Sequence, residues 1–103
     1  MGTLGYGYDS RLFEFDDRTL AHLRAAIIAK LRRQESFTLS FGRDADPRQG
    51  RESLWFHPSI PLRFTFDAAD GGGPVNRAWL EALSRSGDTG DMRIGPEPER
   101  VPA

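Results

Sequence analysis

Between residues 36 and 67 apolar and polar side chains alternate with a period of two. Phe37, Leu39, Phe41, Leu54, Phe56, Leu62, Phe64 and Phe66 share one face, and Ser36, Thr38, Ser40, Ser53, Trp55, His57, Arg63, Thr65 and Asp67 share the other. Successive side chains of a strand point to opposite faces, so the pattern predicts strands over 36–42, 52–57 and 62–67, in an antiparallel sheet buried on one side. The second face is more than a charged surface. Its tryptophan, histidine and arginine make it the first place to look for binding.

The N-terminal region predicts two short strands, Leu4–Tyr8 and Arg11–Phe15, turning at Asp9-Ser10. Gly5 and Gly7 weaken the first strand or let another backbone approach it. A helix follows, capped by Asp16, with Phe15 and Leu20 as a hydrophobic staple. Leu20, Leu23, Ile27, Ile28 and Leu31 form its apolar stripe, which leaves Arg18, His22, Ala25 and Ala29 off the stripe and His22 on the solvent side. Lys30, Arg32 and Arg33 sit at the helix end that favours cations; a phosphate patch is the alternative reading.

Residues 43–51 read as a polar hairpin loop, Pro58–Pro61 as a stiff connection and Asp70–Pro74 as a flexible glycine loop. A second helix runs from Asn76 to Ser86, stapled by Val75 and Leu80. Trp79, Ala82 and Leu83 form its buried stripe, and Gly87 is its stop. Met92–Ile94 suits a short edge strand. The expected order is ββαβββα: an α+β two-layer sandwich, with an antiparallel sheet of about five strands and two helices packed on one face. Residues 1–87 are expected to be one domain and 88–103 a flexible, proline-rich tail.

Composition narrows the choices. The 103 residues suit one domain with a modest core, and the absence of cysteine removes disulfides and thiolate metal sites. A net charge of −1 gives no overall attraction to nucleic acid or anionic lipid. No apolar run approaches the roughly 20 residues of a membrane span, and the N-terminus lacks the form of a secretory signal, so a cytoplasmic location is expected. The basic residues are thirteen arginines and the single Lys30. Arginine favours phosphate and carboxylate forks, although the codons of a GC-rich genome also explain the bias.

Chemistry has few footholds. His22 and His57 are the only histidines, too few for a zinc site. There is no G-x-S-x-G elbow, and Gly71-Gly72-Gly73-Pro74 lacks the Lys-Ser/Thr of a phosphate loop. No catalytic residue and no cofactor are therefore assigned. The candidate binding face is Trp55, His57, Arg63 and Thr65, which cluster if the three central strands pair in sequence. Arg32, Arg33, Arg48 and Arg51 are candidate contacts for phosphate or an acidic partner. A protein partner or a second copy, cover by the chain itself, single-stranded nucleic acid and a small molecule compete for the face.

The blocks Phe15–Leu23, Lys30–Phe37, Trp55–Leu62 and Asn76–Leu83 resemble a family of small actinobacterial proteins treated as a domain of unknown function, many of which carry the label "ATP-dependent DNA ligase". The resemblance implies an uncharacterised domain or, if the label is physical, a DNA-associated accessory module. A ligase core needs an adenylated lysine in a Lys-x-Asp-Gly setting. Lys30 stands instead in Ala29-Lys30-Leu31-Arg32, and the chain is much smaller than such a core.

Overall fold

The structure, a computed structural model, describes residues 1–42 and 50–99. Its elements are β1 (Gly2–Tyr6), β2 (Arg11–Phe15), α1 (Asp17–Arg32), β3 (Phe37–Gly42), β4 (Arg51–Phe56), β5 (Leu62–Thr65), α2 (Arg77–Asp88) and β6 (Asp91–Arg93). Most of the expected hairpin loop, with Arg48, lies outside the described residues.

The fold is α+β, but the single five-stranded sheet is replaced by two sheets of three strands, ordered β2-β1-β5 and β4-β3-β6. All pairs are antiparallel except β3 with β6, which is parallel. The strand β5 therefore leaves its sequence neighbour β4 and pairs with β1. Two local features accompany this. Residues 57–60 form a tight turn closed by Ile60 N–H to His57 O, and Gly7 N–H donates to Pro61 O, which ties the start of β5 to the end of β1. Gly2 leaves room on β1, where an added Cβ would lie 2.6 Å from the Thr65 carbonyl oxygen and 2.7 Å from Leu20 Cδ2.

The alternation read from sequence holds within each strand. Phe37, Leu39, Phe41, Phe56, Leu4 and Met92 are buried, with Leu54, Leu62, Phe64 and Phe66 packed against them. Edge-to-face rings join the sheets: Phe13 and Phe15 meet Phe41, and Tyr6 meets Phe56. The segment after α2 contributes to this core, since Met92 of β6 is fully buried.

Asp16 caps α1 as its sequence implies, accepting from Thr19 N–H at 3.1 Å and from the Thr19 hydroxyl at 2.6 Å. Asn76 caps α2 through its side-chain oxygen. Three readings of the helices are corrected. His22 is 1 % exposed rather than solvent-facing. Gly87 is a buried residue within α2; Ala82, expected in the buried stripe, is exposed. The glycine with positive φ beyond the helix is Gly90, at +97°.

One cause explains His22 and Gly87 together. The helix α1 packs on the sheets with one stripe and on α2 with a second, His22-Ala26-Lys30, at a spacing of four. At one end His22 stacks on Trp79 with ring centroids 4.6 Å apart. At the other, Gly87 makes room for the Lys30 stem, because a Cβ there would lie 2.9 Å from Lys30 Cε. Lys30 is 2 % exposed, and its ammonium pairs with Asp88 and, at 3.9 Å, with Glu35. It is a core residue with a snorkelling head, more than a cation at a helix end.

The glycine loop and the C-terminal segment meet at Arg18. Its guanidinium donates to both carboxylate oxygens of Glu97 at 2.6 and 2.7 Å, and to the carbonyls of Gly72 and Pro74 at 3.1 and 2.9 Å. Asn76 Nδ2 adds bonds to Glu97 and to Pro98 O. Residues 97 and 98 are thus tied to the start of both helices.

Candidate functional site: the outer face of the β4-β3-β6 sheet

Register places the outer face in rows. Trp55, Thr38 and Asp91 lie across one level, Ser53, Ser40 and Arg93 across the next, and Arg51 and Gly42 beyond them. The central strand β3 carries only small residues on this side, while its neighbours carry long ones. The result is a shallow trough of about 280 Å³ lined by Arg51, Ser53, Ser40, Asp91 and Arg93.

Its floor is a chain of hydroxyls ending on a carboxylate. The Ser40 hydroxyl donates to Asp91 Oδ1 at 2.7 Å, and Ser40 and Ser53 Oγ are 2.7 Å apart. The Thr38 hydroxyl also reaches Asp91 Oδ1, at 2.9 Å, and Arg93 Nε donates to Oδ2 at 3.0 Å. The Ser40 hydroxyl, then Arg93 and Thr38, hold the Asp91 carboxyl below its usual range, so it is ionised and accepts only. Ser40 has spent its one proton on Asp91, so Ser53 must supply the proton between the two serines.

Trp55 stands at the end of this trough, 52 % exposed. The other candidate residues do not all join it. Arg63 and Thr65 are exposed on the outer face of the β2-β1-β5 sheet, level with Gly5 and Thr3 respectively. The cluster expected from pairing β4 with β5 therefore does not form by strand pairing. His57 follows β4 and is exposed, but its Nδ1 accepts from Ser59 N–H at 3.1 Å and lies 2.8 Å from Ser59 Oγ, which fixes a turn. Arg51 borders the trough, Arg32 is exposed at the end of α1, and Arg33 is paired with Glu35 at 2.9 Å.

Sequence reasoning placed Thr38, Ser40 and Ser53 on the open face but missed Asp91 and Arg93. Their signal was the polar-apolar-polar run Asp91-Met92-Arg93, legible only once Met92 is known to be buried. No group of three or more metal-ligating side chains stands together among the described residues, and no described helix is long and apolar enough to cross a membrane.

These features describe a small α+β domain with one concave, polar sheet face around a half-exposed tryptophan. The chain belongs to a family described as a domain of unknown function (DUF7882), whose model matches residues 1–97. No curated protein and no solved structure matches it.

Proposed function

We propose that this is a non-catalytic binding domain that engages a protein partner through the face bearing Trp55, with Arg51, Ser53 and Arg93 around it. The observation that carries this reading is the half-exposed Trp55 indole at the end of a hydroxyl-lined trough that Arg51 and Arg93 border. Tryptophan and arginine are the residues that most often dominate binding energy when a partner excludes water from them. Neither serine is set up as an activated nucleophile, since Ser40 donates its proton to an Asp91 carboxylate that also accepts from Thr38 and Arg93, and Ser53 donates its own to Ser40. Ligase chemistry is not part of this reading, because Lys30 is buried and ion-paired.

The test is quantitative co-purification with three baits: the native chain, Trp55→Ala, and Arg63→Ala on the other sheet as a control. Trp55→Ala is expected to weaken capture by about 2 kcal/mol or more, while Arg63→Ala leaves it unchanged. Equal capture by all three contradicts the proposal.

Arg51 and Arg93 on the same sheet face as the exposed indole favour one second reading, a DNA-associated accessory role. It predicts binding of labelled single-stranded DNA whose log K falls with log salt at a slope of about −1.4 for two phosphate contacts. Salt-independent binding, or none, removes it.

A further inference from the structure

Arg18 and Asn76 form a carboxylate cradle whose donors are aimed by the body of the fold. Arg18 Nη1 donates to the Gly72 and Pro74 carbonyls. That leaves Nε and Nη2, the planar edge that matches a carboxylate. Asn76 Oδ1 accepts from Ala78 and Trp79 N–H as the cap of α2, and its backbone N–H donates to His22 Nε2. The direction of its Nδ2 is set in the same way. The glycine loop is shaped around this group: at Gly72, with φ +93°, an added Cβ would lie 2.7 Å from Arg18 Cα. None of these bonds involves the carboxylate that fills the cradle.

The occupant is held differently. Glu97 takes the Arg18 edge with both carboxylate oxygens, and Asn76 Nδ2 donates to Glu97 Oε2 and to Pro98 O, each at 2.9 Å. Residues 95–98 follow β6 and belong to no helix or strand. Among the described residues, no backbone–backbone hydrogen bond involves them, and Pro96 and Pro98 have no N–H to give. A preorganised receptor thus holds an irregular segment through side-chain donors. Because Asn76 meets the carboxylate and the carbonyl of the next residue together, the cradle distinguishes a peptide from a free anion.

We propose that this cradle is a recognition site for an acidic peptide of the form Pro-Glu-Pro, and that Pro96-Glu97-Pro98 occupies it as a tethered ligand, which a partner's segment of the same chemistry displaces. The cradle shares no residue with the trough beside Trp55, so the inference goes beyond that face and stands or falls without it. Tethering holds Glu97 at an effective concentration of about millimolar or above. The closed chain therefore answers weakly to a peptide in solution, because apparent affinity falls with the fraction of chains that are open. Removing the Glu97 carboxylate opens the site and restores the intrinsic affinity.

The experiment titrates a blocked peptide of residues 94–99, Ile94-Gly95-Pro96-Glu97-Pro98-Glu99, into the full native chain and into Glu97→Ala. Calorimetry gives the affinity, and NMR follows the side-chain N–H signals of Arg18 and Asn76. Glu97→Ala is expected to bind the peptide at least about tenfold more tightly than the native chain, with both side-chain signals moving. A peptide carrying Glu97→Gln keeps the charge of Glu99 but loses the charge-assisted fork, and should bind at least about tenfold more weakly. Sodium acetate, which offers a carboxylate without the neighbouring carbonyl, should also bind more weakly than the peptide. Glu97→Gln in the chain is a second opened form that keeps the size of the side chain, for use if the alanine variant does not fold. Failure of the peptide to bind a folded opened variant overturns the proposal, as does equal binding by native and opened chains or equal binding of acetate and peptide. Loss of the fold in both variants overturns it too, because Glu97 would then be a fixed part of the structure and not a displaceable ligand.

Discussion

Replacing His22 tests how α1 and α2 are joined. The ring is buried, and both its nitrogens are used in the neutral form. Nδ1 donates to Arg18 O at 2.7 Å, and Nε2 accepts from Asn76 N–H at 2.8 Å, at the cap of α2. Arg18 O also serves the backbone ladder of α1, so it keeps a partner if the ring is lost. Asn76 N–H does not, and a stranded buried donor costs about 1–3 kcal/mol.

Losing the contact with Trp79 costs about 0.5–1.5 kcal/mol more. His22→Asn can imitate Nδ1 but cannot reach Asn76, so its loss is about 2–4 kcal/mol. His22→Gln places an oxygen near the position of Nε2 and should lose only the ring contact and some packing. The difference between the two amides isolates the single N–H, about 1–3 kcal/mol. At about 4–8 °C per kcal/mol for a domain of this size, that is a gap of roughly 4–24 °C in melting temperature. Urea unfolding followed by circular dichroism gives both values, provided the denaturant slopes match. Equal stability of the glutamine and asparagine variants would refute the reasoning, as would a His22→Phe protein as stable as the native one.

Other outcomes follow from the same structure. Gly2→Ala should destabilise by about 1–3 kcal/mol or more, because the new Cβ meets the β5 backbone, which cannot swing aside, as well as the side-chain ends of Leu20 and Asp17; thermal melts measure it. Arg18→Lys keeps the charge but cannot reproduce the fork to Glu97 with the two carbonyl bonds, and should lose about 1–3 kcal/mol in chemical denaturation. Acid should weaken the fold through Asp17, Asp88 and Asp91. Their folded values are lowered by the Ala68 amide, by Lys30 and by the Ser40 hydroxyl respectively. Their contribution is therefore present above about pH 4 and lost as pH falls through the folded values. Asp91→Asn should flatten that acid limb in a pH series of melts. Trp79→Phe should be close to neutral, since the Trp79 indole N–H is buried without a partner among the described residues. Its remaining emission, from Trp55, should be red-shifted and readily quenched.

The faces of the strands were legible in the sequence because a period of two needs only local order. Trp55 and Arg63 were both placed outward, and both are. Their separation onto two sheets was not legible, because pairing is decided by long-range contacts: the room Gly2 leaves for the β5 backbone, and the bond from Gly7 N–H to Pro61 O. The caps Asp16 and Asn76 were legible for the same local reason. His22 was misread because one apolar stripe was taken to be the whole buried surface of α1. The second stripe contains a histidine and a lysine, whose burial depends on Trp79, Gly87 and Asp88 far along the chain. Asp91 and Arg93 were hidden similarly, since a strand of three residues has too little pattern to announce a face.

The central claim is that the face of Trp55 and Arg93 is the one that becomes covered. Hydroxyl-radical footprinting, with mass spectrometry of the chain alone and in whatever assembly it forms, reads this directly. Trp55 should be reactive in the free chain and strongly protected in the assembly, while Leu12 on the outer face of the other sheet keeps its reactivity. Protection of Leu12 with Trp55 unchanged would contradict the account.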